Sequence, residues 1–168
     1  MSTKEHKDSA PRQVTVGIIT VTTSRSLAED KSGQWIRNAV EKEGHTVVCH
    51  RVVSDDIEKI KHMVLDILAD PAPQVMLLTG GTGISDKDLT IETIHPLLDK
   101  ELTAYGALFA QLSYEEIGSA ALLSRATAGL IGNTVLFCMP GSLKACQLAC
   151  NSLILPEMGH VVRHILKG

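Results

Sequence analysis

The sequence contains few aromatic residues: Phe, Trp and Tyr make up 3% of its 168 residues, although 44% are hydrophobic. A folded interior must therefore be filled mainly by aliphatic side chains. No apolar run approaches the roughly 20 residues that cross a bilayer, and residues 1–12 lack the apolar core of a signal peptide. We predict a disordered polar tail over residues 1–12, a single domain over residues 13–168, a cytoplasmic location and no membrane partner.

The chain also lacks an excess of basic residues. Its formal net charge is −3 and its sequence pI is about 6.1. Duplex-binding domains usually carry a basic face, so this balance argues against a nucleic-acid partner. A small phosphorylated ligand needs only local positive potential, and the composition therefore leaves such a ligand open.

No CxxC pair occurs among the four cysteines, Cys49, Cys138, Cys146 and Cys150. All lie in apolar segments, which favours reduced thiols acting as small core side chains. Cys146 and Cys150 could share a helix face, but no further metal ligand is evident near them. The His160 and His164 pair also has helical spacing, and we predict that it lies on an exposed helix face without a carboxylate partner.

Apolar periodicity predicts strands and helices that alternate along the chain. Asp55 and Glu58 are spaced like a capping pair, and Thr90 is a candidate N-cap. The predicted strands cover 14–20, 46–53, 75–79 and 134–138, and the predicted helices cover 30–44, 57–68, 90–98, 102–123 with a break near Gly118, 142–154 and 161–166. Such alternation predicts an α/β fold with a mostly parallel sheet covered by helices on both faces.

Ligands of open parallel sheets bind beyond the carboxyl ends of the strands. One predicted strand runs directly into Gly80-Gly81-Thr82-Gly83, where unshielded backbone N–H groups could approach an anion closely. The loop could equally be a simple connecting turn. It is not a Walker loop, because GxxxxGK[ST] is absent, and Asp86 stands where a dinucleotide fingerprint needs glycine.

Pro140-Gly141-Ser142 follows another predicted strand and opens a helix. The free N–H groups of a helix N-terminus attract phosphate, and Lys144 adds a positive charge nearby. Ser142 could also serve only as an N-cap. The two interpretations are compatible.

Carboxylates follow the same strands, which is unexpected beside phosphate-binding loops. Asp55 and Asp88 should meet at one edge of the sheet, where a bridging Mg²⁺ would reverse their repulsion of a polyphosphate. The alternatives from the residues alone are helix capping for Asp55 and a solvated turn for Asp88.

Several segments together resemble the MoaB/MogA family of molybdenum-cofactor biosynthesis proteins, and the similarity extends from Val14 to Pro156. The segment Thr79-Gly80-Gly81-Thr82-Gly83, followed after four residues by Asp88-Leu89-Thr90, is similar to the TGGTG-x4-D-x-T element of that family. In chain order the further elements are Ala28-Glu29-Asp30-Lys31-Ser32-Gly33, Val53-Ser54-Asp55, Leu123-Ser124-Arg125 and Met139-Pro140-Gly141-Ser142. The run from Leu112 to Gly118 resembles the MoaB branch in particular.

The resemblance implies a three-layer α/β/α domain that assembles as a trimer or hexamer and adenylates molybdopterin with Mg-ATP, releasing pyrophosphate. Molybdenum and tungsten both remain open as the metal finally inserted, and a MoeA-type protein is an implied partner. The family's two essential carboxylates correspond to Asp55 and Asp88, which gives them catalytic and Mg²⁺-binding roles. The substrate- and nucleotide-binding positions implied by the motifs are Asp30, Ser32, Gly80, Gly81, Thr82, Gly83, Ser124, Pro140, Gly141 and Ser142.

A non-catalytic molybdopterin carrier or scaffold of the same pathway is the alternative. The presence of both Asp55 and Asp88 favours the enzyme. MogA-type members have an acidic residue where this chain has Thr23, so the contacts of the first loop are left open.

Overall fold

The computed structural model describes residues 13–167. The predicted tail over residues 1–12 lies outside this range. The strands are β1 (Thr15–Val21), β2 (Thr46–Val53), β3 (Val75–Thr79), β4 (Lys100–Glu101), β5 (Thr127–Ile131) and β6 (Thr134–Met139). The α-helices are α1 (Lys31–Lys42), α2 (Ile57–Ala69), α3 (Thr90–Ile94), α4 (Thr103–Ile117), α5 (Leu143–Ala149) and α6 (Met158–Lys167). Three short 3₁₀ segments (Leu27–Glu29, His95–Leu97 and Gly118–Leu123) and a π-helical turn (Cys150–Ile154) complete the described part of the chain.

The six strands form one sheet in the order β2-β1-β3-β6-β5-β4. The first four in this order are parallel, and they are the four strands that the sequence predicts. Strands β5 and β4 add an antiparallel edge, which the sequence analysis missed. The omission has a local cause, because β4 has only two residues and β5 (TAGLI) carries Ala and Gly where a strong strand pattern needs branched side chains.

Helices cover both faces of the sheet, which confirms the three-layer α/β/α architecture. Successive residues of β1 point to opposite faces, so Ile18 belongs to one core cluster and Ile19 to the other. Residues of α1, α4, α5 and α6 pack around Ile18. Residues of α2 and α3 pack around Ile19 on the opposite face. Within residues 13–167, no helix is both long and apolar enough to cross a membrane.

Two predicted helix caps are wrong in detail. Helix α2 is capped by Asp56, whose carboxylate accepts a hydrogen bond from Lys59 N at 2.9 Å, so Asp55 is left available for other contacts. Thr90 is the first residue of α3 rather than its cap, and its hydroxyl donates to the carbonyl of Gly80. In both cases a residue predicted to cap a helix instead uses its side chain to contact a strand-end loop, Thr23 for Asp55 and Gly80 for Thr90.

The cysteines are confirmed as core side chains, because all four are buried and free. Burial raises the pKa of the Cys138 thiol to about 12, so this side chain stays protonated at neutral pH. The histidine prediction is partly wrong. His164 is exposed, but His160 is half-buried, and its Nδ1 lies 2.9 Å from a carboxylate oxygen of Glu157.

Candidate functional site

A cleft of about 350 Å³ lies at the carboxyl edge of the parallel strands. In the sheet, Thr20 is in register with Thr79, and Thr79 with Met139, so the loops that follow β1, β3 and β6 begin side by side. The cleft is lined by Thr20, Val21, Thr22, Arg25, Gly80, Gly81, Thr82, Gly83, Asp88, Leu123, Ser124, Pro140, Gly141 and Ser142. The strand-end loops thus meet where the sequence predicts a ligand site, together with the segment before β5.

The glycine loop (Gly80–Gly83) needs glycine for two separate reasons. Gly80 and Gly81 have φ values of +97° and +64°, in the region that side chains other than glycine rarely adopt. A Cβ on Gly80 would also overlap the carbonyl oxygen of Val21, the last residue of β1. The glycines therefore hold the loop against β1 in a conformation closed to other residues.

The carbonyl groups of the glycine loop are bound from outside the cleft. Thr90 Oγ1 donates to Gly80 O at 2.7 Å and Thr90 N donates to Gly81 O at 2.9 Å. Arg125 Nε donates to Thr82 O at 3.0 Å. Neither Thr90 nor Arg125 lines the cleft, so the loop is held from behind.

The turn after β6 (Pro140–Ser142) is also held through its carbonyl groups, here by the buried hydroxyls of Thr79 and Ser32. Thr79 Oγ1 donates to Pro140 O at 3.0 Å, and Ser32 Oγ donates to Gly141 O at 2.9 Å. Ser142 Oγ accepts from Ala145 N at 3.2 Å, which confirms that Ser142 caps α5. A Cβ on Gly141 would come within 3.1 Å of Gly80 Cα, so the turn and the glycine loop touch through their backbones.

Two half-exposed carboxylates flank the glycine loop. Asp88 lies beside Gly83 and accepts hydrogen bonds from the hydroxyl and the N–H of Ser85 at 2.6 and 2.9 Å. The Ser85 hydroxyl is the largest cause that lowers the pKa of Asp88, with the N–H groups of Ser85 and Gly83 adding to it, so this side chain is ionised at neutral pH.

Asp55 lies beside Gly81 of the same loop, but it is not among the residues that line the cleft. A Cβ on Gly81 would be 3.3 Å from Asp55 Oδ1, and Asp55 Oδ2 accepts a hydrogen bond from Thr23 Oγ1 at 2.6 Å. Thr23 thus orients one of the two carboxylates, at the position where MogA-type sequences carry an acid.

The donor set is compatible with a magnesium ion that is shared with a phosphorylated substrate. Within residues 13–167, no group of three or more His, Cys, Asp or Glu side chains is arranged to enclose a metal. Mg²⁺ commonly uses one or two carboxylates and completes its shell with water and substrate phosphates. Asp55 and Asp88, both half-buried, supply two such carboxylates beside the glycine loop.

The structure places two predicted ligand-binding residues behind the cleft rather than in it. Asp30 is fully buried and caps α1 by accepting from Gly33 N at 2.9 Å. Burial raises its pKa, but hydrogen bonds from His50, Thr20 and Gly33 outweigh that effect, so the net pKa of Asp30 is lowered. Ser32 is also buried and bonds the Gly141 carbonyl. Both residues support the cleft wall because the segment that carries them forms the start of α1.

The other predicted positions, Gly80 to Gly83, Asp88, Ser124 and Pro140 to Ser142, all line the cleft. Sequence reasoning missed Arg25, a cationic side chain of the first loop that also lines it. It also gave no role to Arg125, although that residue directly follows Ser124. A positive charge after a predicted strand would have been the signal for Arg25.

Comparison with known proteins gives matches over most of the chain. A family profile described as "Probable molybdopterin binding domain" matches residues 17–160. Molybdenum cofactor biosynthesis protein B of Bacillus subtilis (strain 168) is 47% identical over 168 residues, 99% of each chain. The protein of the same name from Escherichia coli (strain K12) is 39% identical over 143 residues, 85% of this chain and 84% of its own.

Solved structures are similar over nearly the whole chain. A crystal structure of molybdenum cofactor biosynthesis protein B has a TM-score of 0.91 at 44% identity, covering 95% of this chain and 99% of that one. The tungsten cofactor synthesizing protein MoaB from Pyrococcus furiosus has a TM-score of 0.83 at 37% identity, covering 93% and 99%. Profile, relatives and fold together show that this chain belongs to the MoaB/MogA family.

Proposed function

We propose that this chain acts in molybdenum-cofactor biosynthesis by adenylating molybdopterin with Mg-ATP, giving adenylyl-molybdopterin and pyrophosphate. The observation that carries the proposal is the pair of carboxylates beside the glycine loop, Asp55 next to Gly81 and Asp88 next to Gly83, with the loop and Asp88 lining the cleft. The names of the relatives, molybdenum cofactor biosynthesis protein B among them, support the same pathway.

The cleft offers hydrogen-bond donors for phosphate oxygens. Among residues 13–167, nothing accepts a hydrogen bond from the N–H of Gly81 or of Thr82. Arg25 and the hydroxyl of Ser124 lie on the same lining. These groups would bind the phosphates of ATP and the phosphate of molybdopterin.

Mg²⁺, held by Asp55 and Asp88 together with phosphate oxygens, would neutralise the charge that builds up on the pyrophosphate leaving group. Asp88 is suited to this role because its carboxylate is already ionised at neutral pH. Thr23 and Ser85 each hold one of the carboxylates by a hydroxyl hydrogen bond, so both are oriented before any ligand arrives.

In the reaction an oxygen of the molybdopterin phosphate attacks the α-phosphorus of ATP. A new P–O–P bond forms, and the bond from the α-phosphorus to pyrophosphate breaks. The attacking oxygen is already anionic, so little help from a general base is needed. The task of the protein is to hold two anions in line, and rigid backbone N–H groups serve this purpose without rearranging during the step.

The proposal is tested by mixing the protein with molybdopterin and Mg-ATP and measuring adenylated pterin and pyrophosphate. We expect D55N and D88N each to lower the turnover number on the order of 10²-fold, as loss of one preorganised electrostatic group does. D66N is the matched control, because Asp66 is an exposed residue of α2, and its turnover should equal that of the wild type.

Near-normal turnover in both variants would disprove the roles of Asp55 and Asp88. If the wild type bound molybdopterin tightly but formed no adenylated product, the chain would instead be a carrier or scaffold. That is the alternative function considered from the sequence.

We also propose that the chain assembles as a homotrimer or homohexamer. Support comes from exposed apolar side chains at the end of α4 and in the 3₁₀ segment after it, where Tyr114, Ile117, Leu122 and Leu123 are 64%, 51%, 86% and 57% exposed. A patch of this kind favours a protein contact. Light scattering after size-exclusion chromatography checks the prediction, and a monomer at micromolar concentration would contradict it. The MoeA-type partner stays a prediction of the family resemblance.

A further inference from the structure

Each peptide plane of the glycine loop is held by its carbonyl group. In a trans peptide the C=O of one residue and the N–H of the next point in opposite directions. The bonds from Thr90 to the carbonyls of Gly80 and Gly81 therefore turn the N–H groups of Gly81 and Thr82 away from α3. Because Thr90 lies outside the cleft, these two N–H groups are set on the side that faces it.

The third peptide plane, between Thr82 and Gly83, is held by a side chain alone. Arg125 Nε donates to Thr82 O at 3.0 Å. The opposite end of this plane is the Gly83 N–H, and Gly83 lies against the Asp88 carboxylate, since a Cβ on Gly83 would come within 2.7 Å of Asp88 Oδ2. One peptide unit thus connects Arg125 to Asp88.

Arg125 is itself fixed by a second contact. Its two terminal nitrogens donate to both carboxylate oxygens of Glu92 at 2.7 and 3.1 Å, in a bidentate pair. The hydrogen bond to Glu92 is also the main reason why the pKa of Arg125 is raised. A guanidinium has donors in a rigid planar fork, so the Glu92 contact fixes the direction of Nε.

We propose that Arg125, oriented by Glu92, is a positioning residue that sets the Thr82–Gly83 peptide and, through the Gly83 N–H, the Asp88 carboxylate for the adenylation step. The inference rests on the proposed function, since it assigns Asp88 a role in that reaction. Arg125 does not touch the substrate in this mechanism, because it lies behind the loop and outside the cleft lining. Arg125 contributes by fixing the geometry of the groups that contact the substrate.

For this positioning role, the planar arrangement of donors in the Arg125 guanidinium matters more than its positive charge. A lysine at position 125 keeps the positive charge but carries a single ammonium group, which cannot hold Thr82 O and both oxygens of Glu92 in one rigid arrangement. R125K therefore separates positioning from simple electrostatics, and R125M removes both. R37M is the matched control, since Arg37 forms an exposed ion pair with Glu41 within α1 and neither residue lines the cleft.

The experiment has one readout that needs no substrate. We would measure hydrogen exchange of the Gly83 amide by NMR in the full-length wild type, R125K, R125M and R37M. We expect exchange about tenfold faster in R125M and R125K, because the peptide loses its anchor, and unchanged exchange in R37M. Wild-type exchange at Gly83 in R125M would overturn the proposal whether or not the chain adenylates molybdopterin.

Kinetics give the second readout. We expect R125M and R125K to lower kcat about tenfold with little change in the KM for ATP, because misplacing Asp88 weakens the transition state more than ground-state binding. Full recovery of kcat in R125K would overturn the positioning role and show that charge suffices. If the wild type formed no product while Gly83 exchange still responded to Arg125, the proposed function would fail and the anchoring of the loop would stand.

Discussion

Two backbone segments form walls of the cleft: the glycine loop and the turn after β6. In both walls, side chains donate hydrogen bonds to the backbone carbonyl groups, but the donors differ. In the glycine loop the carbonyls accept hydrogen bonds from Thr90 and from Arg125. Arg125 is paired with Glu92, and the two side chains are 34% and 46% exposed, respectively. In the turn after β6 they are bound by the hydroxyls of Thr79 and Ser32, both buried. Each wall keeps its carbonyls occupied from behind, which suits a site that must accept anions.

The two walls differ in the side chains that support them. The turn is supported by a buried network, in which Asp30 caps the helix that carries Ser32 and binds Thr20 and His50. The glycine loop is supported in part by the buried Thr90 and in part by Arg125, whose salt bridge with Glu92 is in contact with water. Buried networks contribute strongly to folding stability, whereas exposed ion pairs contribute little, so the turn should be the part tied to stability and the loop the part tied to ligand geometry.

The largest effect that would test this comparison is expected from Asp30→Ala. The substitution removes a fully buried carboxylate that holds Gly33 N, Thr20 and His50. We expect a loss of about 3 kcal/mol or more in the free energy of unfolding, as for other broken buried charge networks. Urea unfolding monitored by circular dichroism measures it.

The control for Asp30 is Asp56→Ala, which removes an exposed helix cap that accepts a hydrogen bond from Lys59 N and should cost about 1 kcal/mol in the free energy of unfolding. Acid provides a further check. Since the folded-state pKa of Asp30 is lowered, its stabilisation is complete above the ordinary value of 3.8 and is lost as pH falls through the folded-state pKa. The difference in the free energy of unfolding between wild type and D30A should therefore decrease below pH 3.8. A difference that does not change with pH would contradict this account.

A somewhat smaller effect is expected from Gly80→Ala. The added Cβ meets the carbonyl of Val21 at a residue whose φ is +97°, so strain and overlap act together. We expect a loss of about 2 to 3 kcal/mol in the free energy of unfolding. Gly44→Ala is the matched control, because Gly44 has a φ of +86° with nothing within 4 Å of the new Cβ; strain alone should cost about 1 kcal/mol. Equal losses would show that the contact with β1 does not matter.

The smallest losses in the free energy of unfolding are expected from one substitution behind each wall, and these two losses can be compared directly. Ser32→Ala removes one buried hydrogen bond from the turn and should lower the free energy of unfolding by about 1 kcal/mol. Glu92→Gln weakens the exposed pair behind the glycine loop and should lower it by about 0.5 kcal/mol or less. Thermal melting at low and high salt tests the contrast, since salt screens the Arg125–Glu92 ion pair, which S32A keeps and E92Q lacks. A larger loss in E92Q than in S32A would reverse the assignment of the two walls.

Much of the fold was predictable because its signals are local. The four parallel strands are short apolar runs followed by polar or glycine-rich loops, and β3 is buried at all five positions. The edge strands β4 and β5 were not predictable in this way, since their pairing depends on a partner strand and not on their own pattern. The caps at Asp55 and Thr90 were misassigned for the same reason: both side chains have partners or neighbours that lie far away in the sequence, Thr23 for Asp55 and Gly80 for Thr90.

The sequence by itself determined the α/β class, the order of the parallel strands along the chain and the loops that meet at their carboxyl ends, because apolar periodicity and glycine placement act over a few residues. Only the tertiary structure decided which side chains reach the cleft. Asp30 and Asp88 are both acids after predicted strands, yet one is buried beneath Thr20 and His50 and the other lies beside Gly83. The exposure of a side chain depends on what packs over it, and for Asp30 that includes His50, a residue twenty positions away in the chain.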